Sequence, residues 1–270
     1  MDADLIDRGL VLLGCGKMGS AMLAGWLSDG LPPAAVWILD PYPSDWVQAQ
    51  GLHLNTDLPA DPAIILVAVK PQMIGDALPA LQALGGADTL FVSVAAGTPI
   101  AKFESLLGAT TPIIRAMPNT PAAVAQGITA LIGNACVNET HMRMAESLLS
   151  AVGQTIRLET EAQMDAVTGL SGSGPAYVFH MIETLAAAGV AEGLSPELSM
   201  QLAKATVAGS GALAMQTDED PTQLRVNVTS PNGTTQAGLS VLMDEAQGLQ
   251  RLIRQTVSAA ASRSRELARD

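Results

Sequence analysis

Leu10-Val11-Leu12-Leu13-Gly14-Cys15-Gly16-Lys17-Met18-Gly19 is an apolar run that breaks into Gly-x-Gly-x-x-Gly, and its reading decides the fold. The four apolar residues predict a short buried strand that delivers the chain to Gly14, where a tight turn is needed. Gly16 lets a pyrophosphate approach the backbone, and Gly19 lets the next helix pack on the strand. That helix is expected to begin at about Lys17 and to run through Met18, Met22 and Trp26 to Leu27, with its amide-rich end facing the anion. The other half of a dinucleotide fingerprint follows. Val36-Trp37-Ile38-Leu39 reads as a second strand ending in Asp40, 21 positions beyond Gly19, where an acid accepts hydrogen bonds from an adenosine ribose.

Working outward, Ala63–Val69 reads as a β-branched strand buried on both faces, ending at Lys70-Pro71. In an open α/β sheet the ligand lies beyond the carboxyl ends of the strands, so Val69, Lys70 and Pro71 fall where a dinucleotide passes. The alternative for Lys70 is a solvated lysine at a strand end. A helix is expected over Asp76–Leu84, and the strand Leu90–Val94 follows, with the small exit residues Ala95 and Ala96 bordering a cofactor. A helix over Pro99–Leu107 and a strand over Pro112–Met117 come next. This alternation predicts a doubly wound parallel sheet of Rossmann type. Asn119 sits in the loop Met117–Ala122, and two further strands, 128–132 and 155–158, flank a helix from Glu139 to Val152. The first domain is expected to span 1–159.

From 160 to 270 no β-rich run recurs. Apolar residues return at helical spacing (Val178, Met181, Ile182, Leu185; Leu198, Leu202, Ala205), so the second domain is helical. Ser195-Pro196 and Asp220-Pro221 each place a capping side chain before a proline at the first helical position. Two loops stand out: Gly169–Ala176, leading into a long helix, and Val228–Thr235, whose amides lead into a helix near Thr234. Each reads either as an anion site or as ordinary capping.

Composition sets outer bounds. The chain has 270 residues, 48% of them hydrophobic, and a formal net charge of -12. That charge argues against nucleic acid or an anionic membrane as a partner. No run approaches the roughly 18 apolar residues of a membrane span, and the acid-rich first ten residues do not suit a secretory signal, so a cytoplasmic location is expected. Cys15 and Cys136 are not spaced for metal or a disulfide framework, and Cys15 reads as a small filler in the glycine turn. His53, in an expected connecting segment, His141, on an expected surface helix, and His180, on the long helix, form no catalytic pairing by spacing. No Ser-His-Asp order and no Walker lysine appears, so a cofactor has to carry any redox chemistry while the protein orients the reactants.

Taken together, Gly14–Gly19, Ala68–Gln72, Arg115–Ala122, Leu170–Ala176 and the signature around Val228–Pro231 and Gly233–Thr235 resemble the pyrroline-5-carboxylate reductase family over essentially the whole chain. The resemblance implies a Rossmann domain, a helical domain that dimerises and in many members builds a larger ring, and reduction of 1-pyrroline-5-carboxylate to L-proline with NADPH or NADH. It also places the substrate at Ser230, Gly233, Thr234 and Thr235, with the Thr235 hydroxyl reaching the ring nitrogen as the one catalytic side chain. On that loop, backbone amides at the helix start near Gly233, Thr234 and Thr235 offer a clamp for the substrate carboxylate. The cofactor set is Gly14, Gly16, Lys17, Met18, Gly19, Asp40, Val69, Lys70, Pro71, Ala95, Ala96 and Asn119. Asp40 repels a 2′-phosphate and accepts from a free 2′-hydroxyl. Two positions depart from the family pattern: Asn232 stands where glycine is usual, and Val226 where an acid is usual. A β-hydroxyacid dehydrogenase shares this plan but needs a lysine on the long helix, and 176–192 has none. A dinucleotide sensor without catalysis is the reading from another class.

Overall fold

The computed structural model describes residues 3–86 and 88–268. An eight-stranded sheet runs in the order β3-β2-β1-β4-β5-β6-β7-β8. Its strands are β1 (Leu10–Leu13), β2 (Val36–Leu39), β3 (His53–Leu54), β4 (Ile64–Val67), β5 (Leu90–Ser93), β6 (Ile113–Met117), β7 (Gly127–Gly133) and β8 (Gly153–Arg157). β1 lies between β2 and β4, with Leu10 paired to both Val36 and Ile64. Successive side chains of a strand point to opposite faces, and both faces of this sheet are covered. Leu10 and Leu12 join Met22, Trp26, Ile38 and Leu148 on one side. Val11 and Leu13 join Ile65, Phe91, Phe103 and Ile113 on the other. The wholly buried Trp26 donates its indole Nε1–H to the Leu148 carbonyl at 2.7 Å, so its polar atom is satisfied inside the first core.

The alternation of strands and helices follows the sequence reading, with differences in the sheet unit that include these. β7 runs antiparallel to β6. Only residues 118–126 separate them, too few for the crossover of a dozen or more residues that a parallel return requires. The helix expected over Asp76–Leu84 is a broken one: 3-10 turns at Pro71–Met73 and Leu78–Leu84 enclose a short α-helix, Ile74–Ala77. Pro79 has no amide to donate within that run. His53, expected in a connecting segment, forms the short edge strand with Leu54, and its ring stacks on Trp37 at 4.3 Å.

The chain divides into two compact units, one of residues 1–172 with 260–270 and one of residues 173–259. The sheet unit reaches past 159 because Glu161 is tied into it. The carboxylate Oε1 of Glu161 accepts from Arg115 Nη1 at 2.8 Å and from the Ile100 amide at 2.9 Å. Arg115 is a β6 residue buried to 5% exposure. The end of the terminal helix also belongs to this unit, where Ser264 donates its hydroxyl to Asp165 at 2.6 Å.

The second unit is helical: Gly174–Ala191, Pro196–Gln216, Pro221–Asn227, Thr234–Leu242 and the start of Leu249–Leu267. Both expected caps are present, with Leu198 N–H on Ser195 Oγ and Thr222 N–H on Asp220 Oδ1. The first two helices pack closely where Gly189 faces Ser199, since a Cβ at 189 would lie 2.9 Å from Ser199 Oγ. Phe179, Leu185, Leu202, Leu213 and Leu252 stand exposed on these helices, more apolar surface than a small bundle that stays single leaves to water.

Candidate functional site

The glycine turn can be judged by asking what a methyl group would meet at each glycine. Gly14 has φ +86°, and a Cβ there would lie 2.8 Å from Val69 Cγ1, so both conformation and space demand glycine. Gly16 is exposed and a Cβ there would meet nothing within 4 Å. That leaves the backbone at Gly16 open to close approach. At Gly19 a Cβ would lie 2.7 Å from the Gly14 carbonyl oxygen, so glycine lets the helix Lys17–Ser28 close onto the turn. Tight turn, open approach and close packing thus fall on the three glycines as the spacing predicts. Gly14 N–H donates to the Leu39 carbonyl at 2.8 Å, which seats the turn on the end of β2.

Asp40 follows β2 directly. One carboxylate oxygen accepts from the Cys15 amide at 2.6 Å and the other from the Tyr42 amide at 2.8 Å. Asn55, itself in the left-handed region at φ +52°, grips the Asp40 backbone by accepting from its N–H and donating to its carbonyl. Asn55 and the Tyr42 amide are the partners that sequence reasoning missed; an asparagine just after a short strand was the available signal.

Val69, Lys70 and Pro71 leave the end of β4, with Lys70 exposed. Ala95 is buried and Ala96 exposed at the end of β5. A cleft of about 580 Å³ in the sheet unit runs beside Pro71, Ala96, Gly97 and Thr98. The half-buried Asn119 is tied to its neighbours: its Oδ1 accepts from the Ile128 amide and its Nδ2 donates to the Ser171 carbonyl. It therefore shapes the loop after β6. The stretch Gly169–Ala176, expected as a loop, is wound into a π-turn, Thr168–Gly172, that leads into the long helix. The end of the flexible Met117 side chain lies where a Cβ at Gly172 would stand, so a larger residue there would have to push that methionine aside.

The remaining polar candidates are structural. Burial pushes the Cys15 thiol above its usual range. His141 closes a capping box with Asn138, and His180 pairs with Glu183 at 3.1 Å on an exposed face. Among the described residues no group of three or more His, Cys, Asp or Glu side chains is arranged to hold a metal ion, and no helix is long and apolar enough to cross a membrane.

In the helical unit, the Gly233 amide turns back onto the Ser230 carbonyl at 3.0 Å, and Asn232 N–H donates to Gln236 Oε1. Of the three amides expected to form the clamp, that of Gly233 is engaged within its own loop. Thr234 and Thr235 begin the helix Thr234–Leu242, where the first amides have no acceptor within the helix. Gly233, the residue before it, contributes no side-chain cap, and the exposed Thr235 hydroxyl makes no hydrogen bond among the described residues.

Comparison with known proteins gives these sites a setting. The model for pyrroline-5-carboxylate reductase dimerisation matches residues 161–267, and that for NADP oxidoreductase, coenzyme F420-dependent, matches 10–97. A pyrroline-5-carboxylate reductase of Pseudomonas aeruginosa is 38% identical over 96% of both chains. This chain belongs to the pyrroline-5-carboxylate reductase family. Solved reductases agree with the whole fold. The structure from Coxiella burnetii has a TM-score of 0.91 at 32% identity, covering 97% of this chain and 98% of that one. The structure from Plasmodium falciparum, with NADP bound, has a TM-score of 0.85 at 30% identity, covering 97% and 99%.

The reductase is an NAD(P)-dependent oxidoreductase, and its helical part is a dimerisation domain that makes it a homo-oligomer. The two departures from the family pattern now have a physical setting. Position 232 has φ +59°, the left-handed region that favours glycine, and asparagine is among the side chains that tolerate it. Val226 lies half exposed in the short helix Pro221–Asn227 ahead of the loop; nothing in the structure explains the loss of the acid there.

Proposed function

We propose how this reductase divides the conversion of 1-pyrroline-5-carboxylate to L-proline among its residues. Residues 1–159 form the dinucleotide-binding domain and 160–270 the dimerisation and substrate domain. The glycine turn, with Lys17 and Met18 at the helix start, receives the pyrophosphate, and Asp40 the adenosine ribose. Val69, Lys70, Pro71, Ala95 and Ala96 border the rest of the cofactor, while Asn119 fixes the loop beside them. When bound, NADPH or NADH supplies the hydride. Ser230 and Gly233 shape the substrate loop, and the Thr234 and Thr235 amides hold the substrate carboxylate. The Thr235 hydroxyl accepts from the protonated ring nitrogen. A protonated C=N bond is already electrophilic, so the protein needs mainly to align it and requires no dedicated acid.

The observation that carries this reading is the glycine turn, where each glycine has the geometry its role demands. The test is oxidation of NADH or NADPH on adding 1-pyrroline-5-carboxylate, with L-proline as product. Cofactor binding without turnover would favour a dinucleotide sensor instead. The finer assembly we propose is a dimer, built further into a ring, with the exposed apolar helical faces covered by a second copy; sedimentation at micromolar concentration checks it. We place the enzyme in the cytoplasm, consistent with two free cysteines.

A further inference from the structure

We infer that this reductase selects the cofactor lacking a 2′-phosphate, NADH over NADPH, and that Asp40 is the residue that sets the choice; the inference rests on the glycine turn being the dinucleotide cradle. Asp40 stands at the end of β2, where a dinucleotide fold meets the adenosine ribose, and where an acid suits a free 2′-hydroxyl while a nearby arginine suits a 2′-phosphate. Four hydrogen bonds fix it. Asn55 holds its backbone at both N–H and carbonyl, the Cys15 amide of the glycine turn holds one carboxylate oxygen at 2.6 Å, and the Tyr42 amide holds the other at 2.8 Å. A carboxylate accepts at about four lone-pair sites, so two remain for ribose hydroxyls. Because the acid is bound to the turn itself, it cannot swing aside to admit a phosphate without releasing that turn.

No lysine or arginine follows the acid closely in sequence. Residues 41–57, which follow the acid, contain no lysine or arginine and add Asp45 and Asp57, and the histidine among them, His53, is stacked on Trp37. Lys17 begins the helix at the pyrophosphate end. Lys70 follows β4, two strands from β2, about 10 Å away at ordinary strand spacing. A phosphate dianion at the 2′ position would thus meet a fixed negative charge in a partly desolvated place, a repulsion that ionic strength weakens but does not abolish.

The test reads binding as well as turnover. Calorimetry with ADP-ribose and with 2′-phospho-ADP-ribose probes the adenosine end alone, and kcat/KM for the imine with NADH and with NADPH reads the same choice in catalysis. Both ratios are expected to favour the unphosphorylated form by about tenfold or more at low salt. Asp40→Asn should bring the binding ratio to within about threefold of unity. Tyr42→Arg, which leaves the Tyr42 amide and Asp40 in place, should move it toward the phosphate form, and this second variant decides the matter if Asp40→Asn does not fold. Equal or tighter binding of the phosphorylated ligand by the natural protein, or a ratio indifferent to both variants, overturns the inference while leaving the reductase assignment intact. Failure to bind either ligand overturns the cradle and the inference together.

Discussion

Replacing Thr235 with alanine separates a substrate contact from a helix cap. The structure has already narrowed the alternatives: Thr235 is exposed within the first turn of Thr234–Leu242, and its hydroxyl bonds to nothing among the described residues. Removing it leaves no donor or acceptor stranded, and alanine is the better helix former by up to about 0.7 kcal/mol. The variant should therefore melt at the natural temperature or slightly above it. If, as proposed, the same hydroxyl accepts from a charged imine N–H in the complex, its loss leaves a partner unpaired at about 1–3 kcal/mol. That converts to a fall of about 5- to 150-fold in kcat/KM for the imine. Thr235→Ser should restore most of it, and NAD(P)H affinity should hardly change. Steady-state kinetics and thermal melting on one preparation give the answer. A stable variant with unchanged kcat/KM would refute the role assigned to Thr235.

Gly16→Ala should keep its stability, because a Cβ there meets nothing, yet lose about tenfold or more in cofactor affinity; Gly19→Ala, whose Cβ would press on the Gly14 carbonyl, should lose about 1–3 kcal/mol in urea unfolding. Glu161→Ala strips the buried Arg115 and the Ile100 amide of their shared acceptor and should destabilise the fold by about 2–4 kcal/mol, with Glu161→Gln losing less than half as much; a loss under about 1 kcal/mol would show that water replaces the carboxylate. Burial holds the His141 imidazole below its ordinary pKa of 6.5, so the unfolded chain takes up that proton first as pH falls. This contribution is whole above pH 6.5 and is lost as pH drops toward the lower folded value; His141→Gln, which keeps an acceptor for the capping box, should flatten that part of the stability profile measured by unfolding at successive pH values.

The parts legible in the sequence were those fixed by local chemistry. Leu10–Leu13 could be read as a strand buried on both faces because all four residues are apolar and end at Gly14, whose φ of +86° only glycine adopts readily. Ser195 and Asp220 announced their helices by the proline that follows each. The rest depends on contacts distant in sequence. The reversal at β7 follows from the shortness of 118–126, which becomes a constraint only once β6 and β7 are known to be neighbours. The bonds of Asn119 to Ile128 and Ser171 join segments apart in sequence, and the Gly233 amide closes onto the Ser230 carbonyl within its own loop. The bonds from Cys15 and Tyr42 to Asp40 join two loops that only the sheet brings together.

In this reductase a nicotinamide hydride is delivered to the imine carbon of 1-pyrroline-5-carboxylate. Cofactor deuterated at C4, supplied separately as its two diastereomers, tests it directly by mass spectrometry of the product. One diastereomer should yield L-proline carrying a single deuterium at the former imine carbon, and the other should yield unlabelled proline. Oxidised cofactor with no deuterium in proline from either diastereomer would rule out hydride transfer to the imine carbon.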